Sequence, residues 1–465
     1  MIFVALSPLY IISASIVILM LVTAFFRNHK VAACLSILGI ALAFTTIFHH
    51  CSCLPEWAWT LVMMDNTAWF FVGLTLASAL FINIFSYYYF EKHDELKEEF
   101  YILFNTAILG TLVMVTYKHF ISFFLGLELL SIPLYVMVAY TRKNPKSIEA
   151  AIKYLTLAGA STATMLFGMA LLYAAAGSMD IYNIGEYFKV ANPVAPYALA
   201  GIGLFITSIG FKLALAPFHM WSPHVYQGSP SPVTTFLATI AKAGVIVFVI
   251  RLFNETGLMS YQPAYYLLVI LAVLSMFTGN LLALKEQNVK RILAFSSIAH
   301  MGYLLIALII GGKNGNTAVM FYLASYFVTI IAAFGVISVL SGKVEPQVIA
   351  NFSGLYFKKP LLAMTMAVAF LSLIGMPLTA GFMAKFQVAF ASAGSKEWFL
   401  LWMLIINSII SIYYYLRVIT VLFRKQEVEE NIVVKVPILL SILLAIAILL
   451  IIWLGVAPGG LLSLL

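Results

Sequence analysis

The sequence predicts an all-α polytopic membrane protein of about 14 transmembrane helices, with two inverted five-helix repeats and broken helices 7 and 12. Three observations predict it. Of 465 residues, 63% are hydrophobic and 9% charged, against roughly 45–50% and about 25% in a soluble domain. Apolar runs long enough to cross a bilayer, about 20 residues each, follow one another with short polar connections. The few charges inside those runs recur at a nearly constant spacing.

Composition also excludes. The net charge is +8, but the basic residues lie singly or in twos and threes between apolar runs, which suits membrane orientation and lipid contact rather than nucleic acid. Cys34, Cys51 and Cys53 are too few for a four-thiolate cluster. The Cys51-x-Cys53 pair lacks zinc-type spacing. No glycine-rich strand-to-helix stretch marks a dinucleotide site. No metal or cofactor is expected in this chain.

The apolar runs place spans at 3–26, 31–49, 68–90, 100–117, 119–140, 150–174, 196–218, 233–253, 264–284, 291–312, 316–341, 360–389, 398–423 and 436–457. The first is too long for a signal-peptide core and has no basic leader, so it reads as a retained span. Residues 1–90 form an N-terminal three-helix segment, 91–255 and 256–425 the two repeats, and 426–465 a final transmembrane helix.

Loop charges orient the chain. Odd-numbered loops hold sixteen Lys and Arg residues, even-numbered loops or their edges five. The sixteen include Lys143, Lys290, Arg291 and Lys343; the five are Lys118, Lys189, Arg251, Lys313 and Lys396. The positive-inside rule puts the odd loops in the cytoplasm and both termini on the other side, the periplasm for a bacterial inner membrane.

Five basic residues remain inside spans. Lys153 and Arg417 are close enough to span ends to snorkel to the headgroups. Lys212, Lys242 and Lys385 are deep, where a charge costs about 2.5–3.5 kcal/mol on insertion scales. Such lysines face protein or water. Glu128 is the carboxylate well inside a span, and span 10 carries His300. A histidine bonded to a helix carbonyl is the plain reading of His300 taken alone. With three buried lysines for company, a proton relay is preferred, since imidazole changes charge near neutrality.

The spacing repeats. Glu128 to Lys212 is 84 residues and His300 to Lys385 is 85; a shift of 172 to 175 maps Glu128, Lys212 and Lys242 onto His300, Lys385 and Arg417. Pro217 and Pro377 interrupt spans 7 and 12 near their lysines, removing a donor and displacing the carbonyl four residues earlier. A shift of five spans inverts the second unit. Inverted repeats with broken helices mark transporters, with ion sites at mid-membrane.

At these residues a family becomes recognisable. Gly210-Phe-Lys-Leu-Ala-Leu-Ala-Pro-Phe-His-Met-Trp through Lys242 resembles the proton-conducting membrane module shared by respiratory complex I (NADH-quinone oxidoreductase) and Mrp antiporters. So do Asn288-Val-Lys-Arg-Ile-Leu-Ala-Phe-Ser-Ser-Ile-Ala-His-Met-Gly-Tyr303 and Gly375-Met-Pro-Leu-Thr-Ala-Gly-Phe-Met-Ala-Lys385. The NuoN type is the nearest in kind: the chain is short, lacks the long C-terminal lateral helix of the NuoL type, and carries Lys385 where the NuoM type has a glutamate.

The resemblance implies a fourteen-helix fold with inverted units at about spans 4–8 and 9–13. It implies that Glu128, Lys212, Lys242 and Lys385 form a proton path with His300 between the half-channels. Lys153, Arg417, His219 and His224 would be accessory. His224 stands where the family more usually has an aspartate, so a carboxylate at that mouth has no counterpart, and His219 and His224 read as interfacial. The implied partners are NuoM-type and NuoK/NuoJ/NuoA/NuoH-type membrane subunits and a peripheral redox arm, whose subunits would hold FMN and iron–sulfur clusters. An Mrp-type cation/proton antiporter subunit or a membrane-bound hydrogenase subunit shares the fold and stays as the alternative.

Overall fold

The structure, a computed structural model, describes residues 6–48, 57–58, 60–92, 97–191, 194–257, 259, 261–342, 345–425 and 436–465. Cys51, Cys53, Lys343, Lys435 and the first residues of the first apolar run lie outside the described residues.

A backbone in lipid must satisfy its own polar groups, and the described chain is almost entirely helical. Among the described residues, twelve helices are long and apolar enough to cross a membrane, from Ser7–Phe25 to Ile438–Val456. Two shorter apolar helices, Pro196–Lys212 and Pro360–Ile374, occupy the places of the predicted broken spans 7 and 12. The local signals explain the ends. Pro145, Pro196 and Pro360 open helices, where a missing N–H costs nothing. Asp65 and Asn288 accept from the amides of Ala68 and Arg291 as N-caps, at 2.6 and 3.1 Å. Gly177 closes its helix at φ 67°, a left-handed conformation that costs glycine little.

Val289–Ile310 is buried along its whole apolar length, with Ser231–Thr256 and Gly312–Leu340 nearly so. These three form the centre of the bundle, while Ser7–Phe25 and His29–Phe48 are peripheral. Backbones touch where glycine allows it. A Cβ on Gly110 would meet Leu130 N at 2.4 Å, and one on Gly279 would meet Ala299 N at 2.6 Å. Small residues at such crossings are what lets membrane helices pack closely.

Polar contacts sort the loops into two ends. Loops 7, 9 and 11 meet where Lys290 pairs with Glu345 at 2.8 Å and donates to the Ser229 carbonyl. Lys92 reaches the carbonyls of Val339 and Ser341, joining loops 3 and 11. At the other end Arg251 pairs with Asp65 and Lys118 with Asp180, joining loops 8 and 2 and loops 4 and 6. Odd loops meet odd loops and even meet even, as alternating crossings require.

Several features were not expected. Span 8 is broken as well, at Thr239 (φ −120°, ψ −88°), between Ser231–Ala238 and Ile240–Thr256. A short helix, Ile181–Val190, follows span 6 and lies against Glu255, whose carbonyl would be 2.4 Å from a Cβ on Gly185. Another, Trp221–Gly228, fills the linker after span 7. Two-residue strands Trp57–Ala58 and Met63–Met64 pair antiparallel.

Candidate functional site

Lys212 is the last residue of Pro196–Lys212, where carbonyls lack intrahelical partners and the dipole favours a cation. The chain then turns through Ala214 at φ 57° and a cis Ala216–Pro217 bond. Freed backbone groups find partners in neighbours: the Trp221 indole donates to the Phe211 carbonyl at 2.9 Å, and the Ala216 amide donates to Ser275 Oγ at 2.9 Å. The Lys212 ammonium donates to Ser131 Oγ at 3.3 Å. Ser131 stands one turn after Glu128 on Phe120–Val138, so both present to Lys212 from one helix face. Glu128 Oε1 is buried without a hydrogen-bond partner, and among the described residues no direct ion pair joins Glu128 to Lys212. Tyr135, Tyr154 and Trp221 wall this region, with ring centroids 5.2 and 4.9 Å apart in turn.

A second group gathers around Val289–Ile310. Lys242 is 2% exposed, donates to Ser297 Oγ and lies 5.7 Å from the centre of the Tyr326 ring. His300, one turn beyond Ser297, is held through Nδ1 by the Tyr322 hydroxyl at 2.6 Å and through Nε2 by the Tyr415 hydroxyl at 3.3 Å. Tyr415 also bonds Ser296. Lys385 is 8% exposed, donates to the Ile374 carbonyl at 2.9 Å and sits 5.0 Å from the Tyr303 ring centre. Tyr303 packs edge-on to His300 at 5.6 Å. Lys242, His300 and Lys385 are thus joined through hydroxyls and aromatic faces, and among the described residues neither lysine has a carboxylate partner.

A small cavity of about 10 Å³ lies between His300 and the break in span 12, lined by the hydroxyl-bearing Tyr322, Ser325, Tyr326, Thr329 and Ser372 and by the apolar Leu373, Gly381 and Ala384. That is about the volume one water needs. The Ser325 and Tyr326 hydroxyls are buried there without a protein partner. Between the two groups stands Tyr226, fully buried, its hydroxyl beside Ser222 and Ser297 and likewise unpartnered.

The accessory candidates lie elsewhere. Lys153 pairs with Glu149 at 2.5 Å on an exposed face. Their helix runs Pro145–Ala176, 32 residues, about 48 Å at 1.5 Å per residue, which exceeds the bilayer core, and both residues lie in its first third. Arg417 donates to the carbonyls of Leu284 and Glu286, closing the end of Gln262–Lys285, and touches none of the buried lysines. His224 is exposed and bonds the Met220 carbonyl at 3.2 Å. His219 is 7% exposed with both ring nitrogens lacking a hydrogen-bond partner.

Sequence reasoning missed the small hydroxyls. Ser131 and Ser297 hold the lysines, yet serine in an apolar run carries no signal; only their place one turn from Glu128 and His300 could have marked them. It also read Lys290 and Arg251 as loop charges, and both are buried in ion pairs.

Comparison with known proteins identifies the family and the fold. Residues 118–411 match the family described as NADH:quinone oxidoreductase/Mrp antiporter, transmembrane. The chain is 40% identical over 426 residues to NADH-quinone oxidoreductase subunit N of Acinetobacter baumannii, covering 90% of this chain and 85% of that one. It superimposes on a chain of respiratory complex I from Thermus thermophilus, solved with bound aureothin, with TM-score 0.85, 33% identity and 98% of each chain covered. A chain of the Mrp complex from Dietzia sp. shares the fold, with TM-score 0.87 at 17% identity, covering 100% of this chain and 96% of that one. The chain belongs to the NADH:quinone oxidoreductase/Mrp antiporter family, as a multi-pass antiporter-like membrane subunit of the subunit N type.

Proposed function

We propose that this chain is a proton-translocating subunit in the membrane arm of a complex I, and that protons pass through Glu128, Lys212, Lys242, His300 and Lys385. One observation carries the reading: Lys242, His300 and Lys385 gather, buried, at one central helix, Lys242 on Ser297 Oγ, His300 between the Tyr322 and Tyr415 hydroxyls and Lys385 against the Tyr303 ring, and among the described residues neither lysine has a carboxylate partner. A lysine left unpaired in such surroundings is costly unless its proton comes and goes.

Glu128 and Lys212 form the control point. The carboxylate stabilises the lysine's charge when close and releases that hold when drawn away or neutralised. Lys212 then passes its proton toward Lys242 past Tyr226, and His300 relays it to Lys385. The 84- and 85-residue spacings support two inverted half-channels over 91–255 and 256–425. Moving a charge against the membrane potential costs about 2.3 kcal/mol per 100 mV. That energy comes from electron transfer in partner subunits holding FMN and iron–sulfur clusters, which makes the chain part of a translocase without redox chemistry of its own. Loop charges support both termini in the periplasm; a Lys143→Cys variant that reagents label only from the periplasm would reverse this.

The test uses assembled complex in native membranes. Lys212→Ala and Glu128→Ala should each depress coupled quinone reduction and pumping roughly tenfold, about 1.4 kcal/mol, with the other subunits still present. Near-normal pumping by both assembled variants removes the core of the reading.

A further inference from the structure

Two buried ion pairs grip the broken span 8, one on each side of its break. On one side Lys290, fully buried at the start of Val289–Ile310, donates to the Ser229 carbonyl at 2.5 Å and pairs with Glu345 at 2.8 Å. The other Glu345 oxygen accepts from the Ser231 amide at 2.9 Å, the first residue of Ser231–Ala238. On the other side Arg251 of Ile240–Thr256 donates through Nη2 to Asp65 at 2.8 Å and through Nη1 to the Tyr117 carbonyl at 2.6 Å. The Tyr117 hydroxyl returns to the Phe248 carbonyl at 3.1 Å. Each half of the span is therefore tied to a different part of the molecule. The first half is fastened to the loop before span 12, the second to the segments flanking spans 3 and 4.

Between the two grips lie Thr239, where the helix breaks, and Lys242 three residues on. Neither ion pair touches Lys242. Both constrain it, because two rigid half-helices joined at one irregular residue have their relative tilt set by where their far ends are held. Lys290 and Ser297 stand seven residues apart, two turns, on one helix, so the first grip and the partner of Lys242 share one rigid reference.

We propose that Lys290–Glu345 and Arg251–Asp65 are positioning pairs that hold the two halves of span 8 so that the Lys242 ammonium meets Ser297 and the Tyr326 face. The inference rests on the proton path proposed above and adds what aligns it. A displacement of about 1 Å is enough to lower a positioned step by as much as 10²-fold.

The experiment measures protons pumped per NADH oxidised in inverted membrane vesicles, with assembled complex quantified by NADH oxidation with an artificial acceptor. Variants are Glu345→Gln, Asp65→Asn, the conservative Lys290→Arg, and Lys242→Met as reference. Glu345→Gln and Asp65→Asn should each lower the ratio roughly two- to fivefold, while Lys290→Arg, which still pairs with Glu345, keeps it. A merely structural role would change the amount of complex and leave the ratio alone; that result overturns the proposal. So does an unchanged ratio in both charge-removing variants when Lys242→Met has lost pumping. If Glu345→Gln does not assemble, Glu345→Asp replaces it, with an intermediate ratio expected and an unchanged one overturning the proposal. Normal pumping by Lys242→Met would instead sink the proton path itself, whatever the ion-pair variants do.

Discussion

Lys385 and Ile374 face each other across the break in span 12: the ammonium at the second half donates to the last carbonyl of the first half, at 2.9 Å. The lysine thereby sits at the negative end of a helix dipole, which favours its charge. It is both a proton carrier in the proposed path and the cap of a helix that ends inside the membrane.

Lys385→Met separates these roles from mere burial. It should lower pumping about tenfold, and leaving the carbonyl unsatisfied should cost roughly 1–3 kcal/mol of stability. Pumping assays in vesicles and thermal unfolding of the purified complex check the two effects. Unchanged values for both would show that the Lys385–Ile374 contact matters to neither.

His300 is held by two hydroxyls, and a hydroxyl donates or accepts with equal ease. The imidazole can therefore carry its proton on either nitrogen without losing a partner. His300→Phe should reduce pumping roughly tenfold, whereas Tyr415→Phe, which removes one of the two contacts, should cost less, about 0.5–1 kcal/mol or roughly two- to fivefold. Equal pumping by His300→Phe and the unmodified complex would take the relay out of the path.

The halves of span 12 overlap so closely that a Cβ on Gly381 would lie 1.8 Å from the Ser372 carbonyl oxygen. The Gly381 amide donates to Ser372 Oγ at 3.0 Å, and Ser372 in turn bonds Thr329 at the same distance. Gly381→Ala must push the halves apart. Overpacking of this kind costs about 1–3 kcal/mol, so the variant should unfold at lower temperature and lose pumping along with Lys385 placement. An Ala variant as stable as the parent would contradict the close approach.

Outside the membrane, Glu286 marks an acid-sensitive joint. Burial works against its charge, but Arg291 at 2.6 Å and the amides of Asn288 and Gln287 outweigh that and hold its carboxyl below the ordinary range. A depressed folded value means stabilisation that is complete above the usual carboxylate range, about 4.3, and is lost as pH falls through the folded value. The pair is partly exposed, so Glu286→Gln should cost about 1 kcal/mol or less at pH 7. The gap between variant and parent should close as the pH falls below about 4. Thermal unfolding at the two pH values reads this; a gap that widens on acidification would refute it.

Much of this architecture was legible in one dimension, for a physical reason. A bilayer demands apolar runs of a set length and penalises each internal charge, so the spans, Lys242 and Lys385 announce themselves by composition alone. Prolines 217 and 377 marked the broken spans because proline cannot sustain a helix ladder. Lys153 and Arg417 were set apart from the deep lysines by their closeness to span ends, and in space they differ from them too, one in an exposed ion pair and one on the carbonyls of Leu284 and Glu286. What the chain could not express locally is which distant groups meet. Thr239 breaks a helix with neither proline nor glycine, Glu345 finds Lys290 across 55 residues, and Asp65 finds Arg251 across 186. The sequence by itself determined a helical bundle for lipid and the charges it would hide. Only tertiary packing decided which hydroxyls, carbonyls and carboxylates receive those charges, because such partners follow no period along the chain and are selected by three-dimensional fit.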